Sequence, residues 1–342
     1  MKMMKNLLFA AALAALAFTG CSTEETSVTP TPPQGIPVDF STSISQVSRA
    51  TPVEGTEFGA DAKIAVFGTE TKKGGTANTT WMDNVELSKG AENNWIYTGA
   101  KNFMAGYDYS FVAYAPFRVT SLTMTDLTKV PYVVSNDMTK QEDFMYVATV
   151  AKNYSTAAPA SDDKVALAFK HALSQVKFSA QTSADYSAYY DVKITSIELA
   201  DIVSAGKLDF TTDTGTWALD ATTVAYTQTV ASSVGVLSNN AAKDLTSDNG
   251  ILMLIPQSPK GKNLVLTLEV TAKAGGDADV AAAATSVTVQ FPADDPAWEA
   301  GHAYTYKITL NLDSTLGWSV AGFEKPTITD WITDTERPIE NK

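Results

Sequence analysis

Two histidines and one cysteine are the side chains of this 342-residue chain with the most obvious reactive chemistry. A zinc site of His and Cys needs about four such ligands, and a disulfide needs a second cysteine. A Ser-His-Asp or Cys-His nucleophile needs a histidine as its base. However, His171 lies between two strand-like runs and His302 in a turn-like stretch, positions typical of packing or hydrogen bonding. We therefore expect no catalytic residue, no metal site and no cofactor, and predict that the chain is not an enzyme.

Acidic side chains are plentiful, with 38 Asp and Glu against 25 Lys and Arg and a net charge of −13. A nucleic-acid-binding surface needs clustered positive charge, so this balance argues against a nucleic-acid partner. Composition does not exclude a carboxylate pair for glycoside hydrolysis, but no motif marks one. The pairs Asp162-Asp163 and Asp294-Asp295 lack the spaced ligands and the glycine of a calcium-binding loop.

The single cysteine, Cys21, ends a segment with the order of an export signal. Lys2 and Lys5 precede an almost wholly apolar run over 7–18, which is too short to span a membrane as a helix. Phe18-Thr19-Gly20-Cys21 resembles the bacterial lipobox, in which the cysteine becomes the lipidated first residue, although Phe18 stands where Leu is usual. We predict a signal peptide over 1–20 and a lipoprotein acylated, with palmitate, at Cys21 and anchored to the outer membrane.

Residues 21–37 are rich in Thr, Ser and Pro and are predicted to be an extended tether, because this composition cannot bury a core. The pattern changes over 38–47, where Val38, Phe40 and Ile44 alternate with polar residues. Such a period of two predicts a half-buried strand.

Strand patterns continue to the end of the chain, separated by clusters of Gly, Asn, Asp and Pro. The main runs cover 63–67, 95–97, 107–115, 144–150, 165–169, 174–180, 192–199, 251–255, 264–272, 285–291 and 303–312. Many short strands with frequent turn signals predict an all-β chain of β-sandwiches. The small, polar stretch 153–164 is the best boundary, giving one sandwich domain at 38–158 and a second at 159–342.

A series of segments resembles the fimbrillins, the type V pilus subunits of Bacteroidales. After the lipobox come Ser48-Arg49-Ala50-Thr51-Pro52 and the strand Ile64-Ala65-Val66-Phe67. The later segments are 107–116, 142–148, 169–176, 298–306 and Trp331. The order and spacing agree over essentially the whole chain, which makes the series more specific than any one segment.

The resemblance implies two tandem transthyretin-like β-sandwich domains and a structural role in a cell-surface fimbrium that supports adhesion. It also implies a precursor that a trypsin-like, Arg-specific protease cuts, here between Arg49 and Ala50. The cut releases the strand 38–47, with Val38, Phe40 and Ile44. An extended segment of another fimbrial subunit, identical or different, then fills the groove by β-strand addition.

The resemblance places the donor in the tail, here 325–342. Ile328 and Ile332 lie on one face of an extended strand, Asp330 between them breaks the apolar stripe, and Trp331 lies on the other face. In stalk subunits of the family a C-terminal strand is the donor, whereas in tip subunits the C-terminal extension is reduced or replaced. The short tail leaves both interpretations open.

The alternative function is that of a surface glycan-binding lipoprotein serving an outer-membrane uptake system. Six Trp and 13 Tyr could supply platforms for sugar rings, although aromatic residues are also typical of sheet cores. Coplanar aromatic side chains on an exposed face would favour glycan binding, and a preferred cut at Arg49 would favour the fimbrial role.

Overall fold

The computed structural model describes residues 35–44, 58–91, 94–118, 122–245, 251–273, 279–313 and 317–331. These residues form no α-helix, and their short 3-10 helices include Met124–Asp126, Met138–Lys140 and Ser232–Val234. No helix in these ranges is long and apolar enough to cross a bilayer. The strands are β1 (Ile36–Pro37), β2 (Asp39–Ile44), β3 (Lys63–Lys72), β4 (Thr79–Lys89), β5 (Trp95–Ile96), β6 (Asn102–Phe103), β7 (Tyr107–Ala115), β8 (Val130–Val133), β9 (Met145–Asn153), β10 (Lys164–His171), β11 (Ser174–Thr182), β12 (Tyr190–Val203), β13 (Ala205–Asp209), β14 (Thr216–Leu219), β15 (Thr223–Thr229), β16 (Lys243–Asp244), β17 (Leu252–Leu254), β18 (Asn263–Lys273), β19 (Asp279–Gln290), β20 (His302–Asp313), β21 (Gly317–Phe323) and β22 (Thr327–Asp330).

Hydrogen bonding joins these strands into five sheets. The N-terminal strands form a seven-stranded sheet in the order β2-β10-β9-β7-β3-β4-β5, and β1 pairs with β6. The C-terminal strands form a six-stranded sheet in which β16-β11-β20-β21 are neighbours, β17 pairs with β11 and β22 pairs with β20. A four-stranded sheet, β15-β12-β18-β19, and a three-stranded sheet, β14-β13-β8, complete the structure. The all-β prediction is confirmed.

Two apolar clusters lie on opposite faces of the central strands of the seven-stranded sheet. On β3, Ile64 and Val66 belong to the smaller cluster, whereas Ala65 and Phe67 belong to the larger one. Successive side chains of a strand point to opposite faces. The uninterrupted apolar run at 64–67 therefore reflects a strand that is buried on both sides.

The division into two domains at 158/159 stays a prediction, since Gly35–Lys342 clusters as one compact unit. Strand β10 lies beyond that boundary, yet its side chains Val165, Leu167 and Phe169 pack in the smaller cluster with the N-terminal strands. The reason is pairing: β10 lies between β2 and β9 in the seven-stranded sheet. Packing thus assigns β10 to the N-terminal strands, which local sequence did not indicate.

Candidate functional site

The first described stretch, residues 35–44, carries β1 and β2 and is called the N-terminal segment below. Its inward side chains Val38, Phe40 and Ile44 keep only 2%, 1% and 1% of their surface exposed. Asp39 and Ser43, at odd positions, are exposed. The alternation read from the sequence is therefore the alternation of a strand with one face in a core.

The N-terminal segment lies at the edge of the seven-stranded sheet, and in the described part of the chain β10 is the one strand in a ladder with β2. The pairing is parallel and runs from Lys164 opposite Asp39 to Phe169 opposite Ile44. The inward side chains of β10 are fully buried. One wall of the site is thus an apolar strand that runs parallel to β2.

The other wall comes from the opposite end of the same sheet. The indole Nε1 of Trp95, on β5, donates to Thr42 Oγ1 at 3.1 Å, and the Tyr97 hydroxyl donates to the Val38 carbonyl at 3.1 Å. The Val38 amide in turn donates to the carbonyl of Lys101 at 3.0 Å. Strands β2 and β5 are the two edge strands of the seven-stranded sheet. The N-terminal segment therefore brings the two edges of the sheet together. We call the cleft that it fills, between β10 and β5, the groove.

Aromatic rings form the floor and rim of the groove. The ring of Phe40 lies edge-on to Tyr97, with centroids 5.9 Å apart, and to Phe111, at 5.8 Å. Phe58 packs edge-on against Phe169, with centroids 5.0 Å apart. Burial raises the pKa of Tyr97, so its hydroxyl stays a donor for the segment. Contacts of this type add about 0.5–1.5 kcal/mol each beyond the area that they bury.

The start of the N-terminal segment needs a glycine. A Cβ at Gly35 would lie 2.5 Å from the carbonyl oxygen of Phe103 and 2.7 Å from the Met104 sulfur. The chain passes this close because β1 pairs antiparallel with β6, with Ile36 opposite Phe103. The backbone at the start of the segment is therefore in close contact with Phe103 and Met104.

The last described residues, 327–331, form the C-terminal segment. Strand β22 pairs antiparallel with β20, from Thr327 opposite Thr305 to Asp330 opposite His302. Ile328 is 46% exposed, whereas Trp331 is only 2% exposed. This segment is thus held by a short ladder and one buried aromatic ring.

Trp331 packs on His171, the last residue of β10. The two rings are stacked, with centroids 4.3 Å apart and an angle of 4° between their planes. His171 Nδ1 lies 2.7 Å from Asp143 Oδ2. His171 Nε2 and Asp143 Oδ1 are buried and have no hydrogen-bond partner among the described residues. His171 therefore serves packing and hydrogen bonding, and it joins β10 to the C-terminal segment.

Several residues singled out in the sequence lie outside the described ranges, namely Cys21, Arg49, Ala50 and Ile332. Their predicted roles, like the signal peptide over 1–20 and the tether that follows it, stay predictions. Among the residues that the structure does describe, no group of three or more His, Cys, Asp or Glu could hold a metal ion.

Sequence reasoning missed the groove-lining donors Trp95 and Tyr97 and the stack of His171 on Trp331. Trp95 and Tyr97 lie on a short run with alternating aromatic residues, and this is the one local signal that could have drawn attention to them. The stack joins residues far apart in the chain and leaves no such signal.

The sequence was compared with protein-family models, curated proteins and solved structures. The model of a family described as fimbrillin-like matches residues 48–331, which is most of the chain. The chain belongs to the fimbrillin-like family. The resemblance drawn from the sequence is thereby confirmed. No curated protein matches this fimbrillin-like chain.

Solved structures share the fold of this fimbrillin-like protein at low sequence identity. A fimbrial protein from Bacteroides vulgatus is 15% identical, with a TM-score of 0.56 over 86% of this chain and 99% of that one. A candidate cell adhesion protein from Bacteroides ovatus is 17% identical, with a TM-score of 0.53 over 88% of this chain and 99% of that one.

Family membership sets the general role of the molecule. This fimbrillin-like protein is a structural subunit of a cell-surface fimbrium and not an enzyme.

Proposed function

We propose that this fimbrillin-like protein is made as a lipoprotein precursor, acylated at Cys21, and matured by an Arg-specific protease that cuts between Arg49 and Ala50. The cut separates the N-terminal segment from the rest of the chain. An extended strand of another subunit then replaces that segment in the groove. The resulting polymer supports adhesion at the outer-membrane surface.

The observation that carries the proposal is the position of β2. Among the described strands it has one ladder partner, β10, and its hydrogen bond with Trp95 joins the two ends of the seven-stranded sheet. Removing it would expose the apolar side chains of β10 and the aromatic floor together with an unpaired strand edge. Exposed edges and apolar clefts favour pairing with another chain.

The energies support replacement rather than an empty groove. Val38, Phe40 and Ile44 are buried, and each such side chain contributes about 1.5–3 kcal/mol. Ladder hydrogen bonds add about 0.5–1.5 kcal/mol each. A strand of the same pattern from a neighbour would regain most of this free energy, and no disulfide is needed to hold it.

The distribution of arginine supports a single cut, because the chain has only Arg49, Arg118 and Arg337. Arg118 forms an ion pair with Glu142 at 2.6 Å, and its guanidinium lies 4.8 Å from the ring centre of Tyr132. Arg337 precedes a proline, which offers no backbone N–H to a protease. Arg49 has neither obstacle in its sequence: alanine follows it.

The test is digestion of the folded full-length chain with an Arg-specific protease, followed by mass spectrometry and electron microscopy. We expect one early cut, after Arg49, and polymers that appear only after it. Arg49→Lys is the matched control and should block both the cut and assembly. Polymers that form equally well from Arg49→Lys, or an early cut elsewhere, would contradict the proposal.

The glycan-binding alternative receives no support from the described surface. Among the described residues, Tyr189 is the one exposed aromatic side chain, at 68%. A stacking platform for a sugar chain needs several such rings in one plane, so we do not pursue this function.

A further inference from the structure

The contacts that hold the N-terminal segment are made by residues 35–44 themselves, which precede the bond between Arg49 and Ala50. They include the pairing of β1 with β6 and six register pairs between β2 and β10. The backbone N–H of Val38 also donates to the carbonyl of Lys101. None of these contacts depends on the chain being continuous after residue 44, so a cut there leaves each of them in place.

The chain is anchored independently on the other side of the cut. Phe58, the next described residue after 44, is 3% exposed. Its ring packs edge-on against Phe169, with centroids 5.0 Å apart, and against Trp95, at 5.7 Å. In the ladder of β2 with β10, Phe169 lies opposite Ile44. The chain is therefore held on both sides of the cut next to the same residue of β10, and the cut removes a connection rather than a contact.

We propose that the cut alone does not empty the groove: the N-terminal segment stays in it as a noncovalent ligand, and the incoming strand of another subunit must displace it. This inference rests on the proposed function, since it takes the cut after Arg49 and the groove as the place of exchange. It adds an intermediate between the two steps, a nicked subunit whose two fragments remain together.

The nicked complex is held by the same interface as the uncut chain. Cutting turns an intramolecular contact into a bimolecular one and so removes the high effective concentration of the segment. The buried side chains of Val38, Phe40 and Ile44 and the hydrogen bonds from Trp95 and Tyr97 are kept. Because these contacts are spread along the whole strand, dissociation requires that most of them break together and is slow.

The intermediate has a consequence for anchoring. Cys21, the proposed site of acylation, lies in the same fragment as residues 35–44. The noncovalent complex therefore keeps the nicked subunit at the membrane. Displacement by a neighbour's strand fills the groove and detaches that subunit from its own lipid in one step. A subunit whose groove has not yet received a neighbour keeps its anchor.

The test uses the full chain, purified from membranes in detergent, with a site-specific protease sequence inserted after Arg49. After the cut, size-exclusion chromatography separates monomers from polymers, and mass spectrometry detects the two fragments in each fraction. We expect the fragment that carries residues 35–44 in the monomer fractions and not in the polymer fractions. Urea should separate the two fragments of the monomer. Cut monomers that lack the fragment without urea would overturn the inference.

Exchange against a labelled peptide of residues 35–44, followed by fluorescence anisotropy, measures how long the segment stays. We expect slow exchange in the cut protein and none in the uncut chain, where the attached segment competes at high effective concentration. Phe40→Ala in the protein should accelerate exchange by at least about a hundredfold, whereas Ser43→Ala, on the exposed face, is the control. Thr42→Val, which removes the acceptor of Trp95, is a milder second variant and should accelerate exchange roughly tenfold.

The two levels of the proposal fail differently. If the segment leaves as soon as the chain is cut and the labelled peptide then binds at once, this inference is overturned and the proposed function stands. If the segment stays and neither the peptide nor another subunit replaces it, the replacement step of the proposed function is contradicted, and this inference with it. Exchange that Phe40→Ala and Thr42→Val leave unchanged would show that the groove is not what holds the segment.

Discussion

The N-terminal and C-terminal segments are both short edge strands, but they are held in different ways. Residues 35–44 bury three apolar side chains on one face of the strand and accept side-chain hydrogen bonds from Trp95 and Tyr97. Residues 327–331 make a ladder with β20 on one edge and bury one ring, that of Trp331.

This difference in contacts determines how easily each segment can detach from its sheet while the chain stays intact. Contacts spread along the whole length resist fraying, because no single residue releases the rest. A segment held by one anchor opens when that anchor leaves, and such local opening costs less than global unfolding. The distributed contacts of the N-terminal segment are consistent with the proposed need for a protease to free it, whereas the C-terminal segment is held by its short ladder with β20 and the stack of Trp331 on His171.

Among these variants, Phe40→Ala is expected to have the largest effect on the stability of the N-terminal segment. The substitution removes a fully buried ring that contacts Tyr97 and Phe111, and we expect a loss of about 3–5 kcal/mol in the free energy of unfolding. Urea denaturation of the uncut chain measures it. Ser43→Ala, on the exposed face of the same strand, is the control and should lie within about 0.5 kcal/mol of wild type.

Trp331→Ala should produce a smaller global effect with a local signature. We expect hydrogen-exchange protection of Thr327–Asp330 to be lost while protection of β10 is kept, because only the anchor of the C-terminal segment is removed. Ile328→Ala, at an exposed neighbour, should leave both unchanged. Equal loss of protection in β10 would show that the two segments are not independently held.

Thr42→Val tests a single hydrogen bond of the N-terminal segment, the one from Trp95 to Thr42. The buried indole N–H of Trp95 would lose its acceptor, and we expect a loss of about 1–3 kcal/mol. Thr42→Ser keeps the hydroxyl and serves as the control in the same denaturation experiment. Identical stabilities for the two variants would show that the hydrogen bond between Trp95 and Thr42 does not stabilise the fold.

The smallest effect is expected from Asp163→Asn, next to the start of β10. The carboxylate of Asp163 accepts from Lys152 Nζ and from the Tyr154 hydroxyl, and these contacts lower the pKa of Asp163 from 3.8. Since the folded-state pKa is depressed, this stabilisation is complete above about pH 4 and is lost as the pH falls through the folded-state value.

Denaturation at several pH values measures this effect. Asp163→Asn should cost about 1 kcal/mol at pH 7 and nothing once the carboxylate of the wild type is protonated. Asp294→Asn is the control on the C-terminal side, where the pair with Lys325 is exposed and contributes little. A difference for Asp163→Asn that persists at low pH would show that the carboxylate charge is not its cause.

Local patterns predicted many of the strands, because period-two alternation is a property of neighbouring residues, but they did not predict β4 or β15. Strand β7 has the predicted bounds, 107–115, and β18 and β20 lie within a residue or two of theirs. Glycine and proline clusters separated these strands in the sequence as they do in the structure.

Pairing could not be predicted in the same way. The parallel ladder between β2 and β10 places Phe40 opposite Val165. The sequence around either residue gives no indication of this pairing. The stack of Trp331 on His171 is likewise set by the tertiary fold. The hydrogen bond from the Trp95 indole to Thr42 also joins residues far apart in the chain.

The parallel ladder with β10 has a consequence for the proposed filament. A strand that replaces β2 and keeps its parallel pairing has one direction, so every junction has the same orientation. Such a filament is polar: its two ends differ, and each added subunit has the orientation of the one before it.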